Sequence, residues 1–197
     1  MRRILMFNRV SADGCFAAAD GSLDWVVPDQ DLDQEAMGSS PGTDTVLFGR
    51  RTYEMFEAFW PGALDESPTG PNPHGEPSQA MRAMALFLNE ATKLVFSRTR
   101  AEVTWQNSHL LREINPADIA ALKREPGKDM IIFGSGSVVS ELSRHGLIDE
   151  YQFVVAPVLL GSGRHPVSGL SNAVRLELVE ARPYRSGNVM LRYARQA

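Results

Sequence analysis

The sequence holds a single cysteine, Cys15, and only four scattered histidines. One thiol excludes an internal disulfide and a cysteine-rich zinc site, and the histidines show no ligand spacing, so no metal is expected. No apolar run approaches the ~20 residues that cross a bilayer as a helix, so no membrane association is expected. Positive charge is not in excess: the net charge of −4 gives no reason to expect nucleic-acid binding. The start Met-Arg-Arg-Ile-Leu-Met-Phe has the basic head of a signal peptide. Its apolar stretch ends by Asn8-Arg9 without a cleavage pattern, so it reads as a first strand. A cytoplasmic protein that handles a small molecule is the expectation. Hydrophobic residues make up 43% of the 197 positions and charged ones 22%, which suits one packed α/β domain over residues 1–197.

Strand patterns cover 3–10, 44–48, 93–97, 102–105, 130–133, 149–156, 174–182 and 188–195. Helix patterns cover about 30–37, 52–60, 78–88, 116–125 and 136–145. Asn115-Pro116 reads as an N-cap followed by proline at the first helical position, and Gly146 as a C-cap. Five prolines and three glycines between Pro61 and Pro77 mark a surface excursion. The alternation of strands and helices argues for a mostly parallel sheet, finished by antiparallel C-terminal strands.

Two strands run straight into glycine. One is Met130-Ile-Ile-Phe-Gly-Ser-Gly-Ser-Val138, the other Asp44-Thr-Val-Leu-Phe-Gly-Arg-Arg-Thr52. Glycine brings backbone N–H groups close to an anion, and the following helix start adds its positive dipole end. Val139 stands where a dinucleotide fingerprint has its last glycine. Two such junctions at carboxyl ends of strands can line one crevice and suit a ligand with more than one phosphate.

Arg50 and Arg51 open the second helix, where a cation opposes the dipole by about 0.3–1 kcal/mol. A bound phosphate would reverse that cost; two solvated arginines are the plain alternative. Ser97-Arg98-Thr99 reads either as a site for the 2′-phosphate of NADP or as a polar turn. Gly161-Ser-Gly163-Arg164 reads first as a tight connection and second as another glycine loop. Asp13, Asp24, Asp29, Asp31, Asp33 and Glu35 are the acids available near the N-terminal loop as a proton source, with no partner pattern to choose among them. Trp25 can stack on a ring or simply pack in its loop. Cys15 has no basic neighbour that would activate it as a nucleophile.

Taken together, Ser11-Ala-Asp-Gly14, Asp44 to Thr52, Lys93 to Ser97, Ile131 to Gly136 and Gly146 to Gly161 resemble the dihydrofolate reductase-like superfamily. Within it they resemble the reductase domain of the bifunctional riboflavin-biosynthesis deaminase-reductase, here as a stand-alone chain. The resemblance implies an eight-stranded, mostly parallel sheet and an NADPH cofactor. It implies phosphate contacts from Gly49, Arg50, Arg51 and Thr52, a 2′-phosphate site at Ser97 and Arg98, and a pyrophosphate cradle at Gly134, Ser135, Gly136, Ser137 and Val138. The loop from Ser11 to Trp25 would border nicotinamide and substrate, with Asp13, Asp31 and Asp33 as candidate acids and Trp25 as a substrate contact. A homodimer is implied as well. The implied activity is reduction of 5-amino-6-(5-phosphoribosylamino)uracil; the alternatives are a pteridine such as dihydrofolate as substrate, and an NADP-binding protein without turnover. Two stretches depart from the riboflavin enzymes. Pro28 to Ala36 is acidic where they are basic, and Tyr53-Glu-Met-Phe-Glu-Ala-Phe-Trp60 replaces their segment after the Gly-x-x-Thr turn.

Overall fold

A computed structural model describes residues 1–38, 42–65 and 77–196. Its main sheet has eight strands. Five strands, β5 (Ser108–Leu111), β4 (Thr92–Phe96), β3 (Thr43–Gly49), β6 (Asp129–Phe133) and β1 (Ile4–Ser11), run parallel to one another. β7 (Glu150–Ala156) continues the parallel set beside β1. β10 (Val189–Arg195) and β9 (Leu176–Pro183) then pair antiparallel.

Strand stretches buried on both faces must be apolar, and Val46–Phe48 of β3 and Met130–Phe133 of β6 are. Their side chains feed two cores. One holds Ile4, Met6, Leu47, Ile132, Val139 and Leu142, the last two from α5 (Gly136–Arg144). The other holds Val46, Phe48, Tyr53, Leu88, Trp105 and Phe133, with Tyr53 on α2 (Arg50–Phe59) and Leu88 on α3 (Gln79–Glu90). Helices α2 and α5 therefore leave the neighbouring strands β3 and β6 toward opposite faces. Such a switch point opens a crevice at the carboxyl ends of the two strands. α1 (Gln30–Gly38) is anchored by Leu32, wholly buried against Val154 and Met190. α4 (Pro116–Leu122) starts where expected, with Asn115 Oδ1 accepting the Ala117 N–H at 3.0 Å. A two-stranded ribbon, β2 (Ala17–Ala18) with β8 (Gly163–Arg164), was not foreseen. Of the expected surface excursion, Trp60–Gly62 form a 3-10 turn and Ala63 is fully buried. Residues 66–76 of that stretch lie outside the described residues.

The expected strand 102–105 is not one. Side chains take its backbone: Glu57 Oε1 accepts the Thr104 N–H at 3.3 Å, and Tyr53 Oη accepts the Trp105 N–H at 3.2 Å. The next segment, Ser108–Leu111, pairs with β4 instead.

Lys93 lies wholly buried in β4. Its Nζ donates to the carbonyls of Leu88 at 2.5 Å and Ala91 at 2.7 Å, closing the end of α3, and sits 4.5 Å from the Trp105 ring centre. Burial lowers its pKa to about 8 from 10.5, although carbonyls and indole face both favour the cation. Lys93→Met is expected to lower unfolding free energy by about 1–3 kcal/mol, because two carbonyls lose their donor. The unfolded chain keeps this proton more tightly than the folded one. Wild-type stability therefore gains from this group as pH rises from about 8 to about 10.5, a slope the variant lacks. Urea melts across that range check both points.

Candidate active site

β3 reaches Gly49 in an extended conformation, and α2 begins at once with no side chain capping its N-terminus. After β6, Gly134 and Ser135 are both left-handed, with φ of 55° and 54°, and α5 also begins without a side-chain cap. The two junctions are bonded together. Ser135 Oγ accepts the Gly49 N–H at 2.8 Å, and Thr52 Oγ1 accepts the Ser135 N–H at 3.1 Å. A Cβ on Gly134 would lie 3.2 Å from Thr52 Oγ1, so glycine is needed there for both its φ and its lack of bulk.

Two uncapped helix starts thus open on one rim, either side of the left-handed turn at Gly134 and Ser135. This donor set fits the two phosphates of a dinucleotide. The Ser137 hydroxyl faces the same junction, 3.5 Å from where a Gly49 Cβ would be. Val138 contributes differently than its neighbours: its side chain is core and its N–H already bonds Ser135 O at 2.8 Å. Arg51 is exposed and lines the adjoining cavity, whereas Arg50 points to Glu54 at 4.0 Å. Ser97 follows Phe96, the register partner of Gly49, so it lies beside the junction. Its Oγ accepts the Arg100 N–H at 3.0 Å and closes the turn that presents exposed Arg98.

A cavity of about 950 Å³ adjoins this rim. One side is made by Phe7 and Arg9 of β1, Asp33 of α1, and Gln152 of β7. Another is made by Thr52, Met55 and Phe56 of α2, Trp60, and Met81 and Met84 of α3. Phe16, Asp20, Leu23 and Val26 of the N-terminal loop close over it, together with Arg164 from β8. Arg164 reaches the cavity because β8 pairs with β2, and its guanidinium lies against Gly21. The glycine stretch at 161–163 therefore delivers a side chain rather than a third anion loop.

The three candidate acids separate. Asp33 lines the cavity and pairs with Arg9. Burial pushes its carboxyl above the usual range, with the Arg9 charge opposing. Asp31 lies outside the cavity, in a shallow surface depression with Glu35, Arg182 and Tyr184. Asp13 also lies outside. Its carboxylate accepts from Ser11 Oγ at 2.6 Å and from the N–H groups of Leu160 and Gly161 at 3.1 and 2.7 Å. The Ser11 hydroxyl, then these backbone donors, hold its pKa down to about 2, so it is an ionised loop staple at working pH. Trp25 is not among the described cavity-lining residues. Among the described residues no group of three or more His, Cys, Asp or Glu is placed to hold a metal.

Sequence reasoning missed Arg9, Gln152 and Arg164. The first two did carry a signal: a charged or amide residue inside an otherwise apolar parallel strand needs a reason to be there.

The family described as the RibD C-terminal domain matches residues 2–190. The uncharacterized protein YyaP of Bacillus subtilis is 28% identical over 98% of this chain and 94% of its own length. A Shewanella sp. PV-4 protein provisionally assigned to riboflavin biosynthesis superposes with a TM-score of 0.71 at 21% identity, covering 99% of each chain. A Thermotoga maritima diaminohydroxyphosphoribosylaminopyrimidine deaminase/5-amino-6-(5-phosphoribosylamino)uracil reductase gives 0.64 at 14% identity, covering 99% of this chain and 57% of that one. Enterococcus faecalis dihydrofolate reductase, solved with NADP(H), gives 0.62 at 12% identity over 99% and 97%. Sheet order, glycine junctions and family match agree, and the chain belongs to the RibD C-terminal domain family.

Proposed function

We propose that the chain is an NADPH-dependent reductase acting on a C=N or C=O bond of a heterocycle held in the cavity. The observation that carries this reading is the bonded pair of uncapped helix starts opening beside a cavity that contains Asp33. NADPH, when bound, supplies the hydride. The uncapped N–H groups at the start of α5, set by the left-handed turn at Gly134 and Ser135, would hold the pyrophosphate together with those at the start of α2 and the Arg51 guanidinium. Ser97 shapes the turn on which Arg98 meets the 2′-phosphate. The apolar cavity walls exclude water from the reacting carbon. Asp33, protonated at a carboxyl oxygen, supplies the proton to the nitrogen or oxygen of the reduced bond.

Family resemblance makes 5-amino-6-(5-phosphoribosylamino)uracil the first compound to test as substrate. A pteridine is the second reading, and Asp33 favours it, as a carboxylate on the first helix facing the cavity. NADPH oxidation with each compound separates the two. NADPH that binds but is oxidised with neither, nor with any member of a broad heterocycle panel, would show a binding protein instead. The cofactor placement has its own test. Arg51→Ala is expected to weaken NADPH binding about tenfold, as loss of a charge-assisted contact to phosphate does. Arg50→Ala should change it less, because Arg50 is turned toward Glu54. Arg98→Ala should narrow the preference for NADPH over NADH. Fluorescence titrations with both nucleotides measure these effects; unchanged affinity in Arg51→Ala would place the phosphates elsewhere.

A further inference from the structure

The cavity lining asks for two kinds of chemistry. Gln152 lies next to Phe7 in the β1–β7 register, on the cavity face. Its Nε2 donates to Glu150 Oε1 at 2.7 Å. Glu150 is itself buried and accepts from Arg3 Nη2 at 2.7 Å and Arg192 Nε at 3.1 Å. A carboxylate only accepts, so this network fixes which way the Gln152 amide points: nitrogen to Glu150, with Oε1 left over as an acceptor. Arg9 stands two residues beyond Phe7 on the same strand face, its Nη2 on Asp33. Its Nη1 is buried with no hydrogen-bond partner among the described residues. The Arg9 side chain as a whole is 23% exposed and lines the cavity, so the guanidinium can still donate to a ligand acceptor there.

One wall therefore presents a guanidinium donor next to an amide acceptor. At this wall a phosphate would satisfy Arg9 but would also press its oxygens against Gln152 Oε1. A carbonyl beside an N–H satisfies both groups at once. The lining also includes the apolar side chains of Met55, Trp60, Met81 and Met84, with Leu23 and Val26 of the N-terminal loop. Met55 is 46% exposed and Leu23 38%, apolar surface that a ligand would cover. Methionines there suit a range of apolar shapes. About 950 Å³ is at the large end for a small-molecule site, more than one heterocyclic ring needs.

We propose that the ligand is an uncharged lactam heterocycle without a phosphate, its N–H and C=O edge read by Gln152 and Arg9, carrying an apolar substituent that lies between α2 and α3. This rests on the reductase reading for the shared use of the cavity, but its test is binding and needs no turnover. The probes are quinazolin-4(3H)-one, which has the lactam edge and a neighbouring C=N bond, and its 6-phenyl derivative. Both are titrated calorimetrically into the full chain, with and without NADPH.

The phenyl derivative is expected to bind about tenfold or more tighter than the parent, from burial of one aromatic ring. Met84→Glu removes that gain. Gln152→Met weakens both probes about tenfold, since the edge loses its acceptor while side-chain length is kept. NADPH affinity, retained in both variants, reports that they are folded. Equal affinity of the two probes overturns the proposal, as does tighter binding of 5-amino-6-(5-phosphoribosylamino)uracil than of either. Absent NADPH binding would sink the cofactor reading alone, and the probe titrations would still decide this one.

Discussion

Replacing Asp33 by Asn is expected to lower kcat by about 10²-fold or more while leaving NADPH affinity unchanged. The size follows from the role: a positioned acid contributes that much when the substrate nitrogen or oxygen must be protonated as hydride arrives. Asp33 is the one of the three candidate acids that lines the cavity. Burial raises its pKa, and the Arg9 charge limits the rise. The sign of the pH dependence follows. Below that pKa the carboxyl carries its proton and can give it up; above it the carboxylate cannot. Wild-type kcat/KM should therefore fall as pH rises through the pKa, and the variant should lose this limb of the profile. Asparagine keeps an oxygen for Arg9, so the ion-pair geometry is disturbed as little as possible. Asp31→Asn, outside the cavity, is the control and should leave the profile intact. Steady-state kinetics over pH 4–8 with the substrate that turns over decides the matter. A full acidic limb in the Asp33 variant would remove Asp33 from the chemistry and point to solvent as the proton source.

The choice among the acids was not readable along the chain, and the reason is helix phase. Asp29, Asp31, Asp33 and Glu35 are spaced by two, and residues two apart on a helix do not share a face. The phase is set by Leu32, the buried anchor of α1 against Val154 and Met190. That contact lies more than 120 residues away in sequence. The same limit hid Arg164, which enters the cavity only because β8 pairs with β2. What could be read were features carried by local pattern: the apolar runs of β1, β3 and β6, the Asn115 cap, and the two strand-to-glycine junctions. That the junctions share one crevice follows from β3 and β6 being neighbours, and parallel order was only implied by alternation. The segment 102–105 failed for the opposite reason. Its β-forming residues were real, but Glu57 and Tyr53, fixed by α2, claimed its N–H groups first.

The Gly134→Ala variant is expected to bind NADPH about tenfold to a hundredfold more weakly and to lose about 1–2 kcal/mol of stability. The stability term is the cost of an L-residue at φ 55°. The larger effect on binding has a separate cause. The new methyl group would lie 3.2 Å from Thr52 Oγ1 and 3.3 Å from its Cγ2, so the Thr52 side chain must move. Thr52 Oγ1 is what holds the Ser135 N–H, and Ser135 Oγ is what holds the Gly49 N–H. Displacing one hydroxyl therefore loosens both glycine junctions together, and the donors on the rim lose the fixed aim that makes them an anion site. Thr52→Val isolates this coupling. It removes the acceptor without adding a Cβ at Gly134, so it should reproduce most of the binding loss, and Thr52→Ser should restore it. NADPH fluorescence titrations paired with urea melts separate the two effects. If Gly134→Ala is destabilised yet binds NADPH normally, the left-handed turn serves the fold alone, and the phosphates belong at the start of α2 without help from β6.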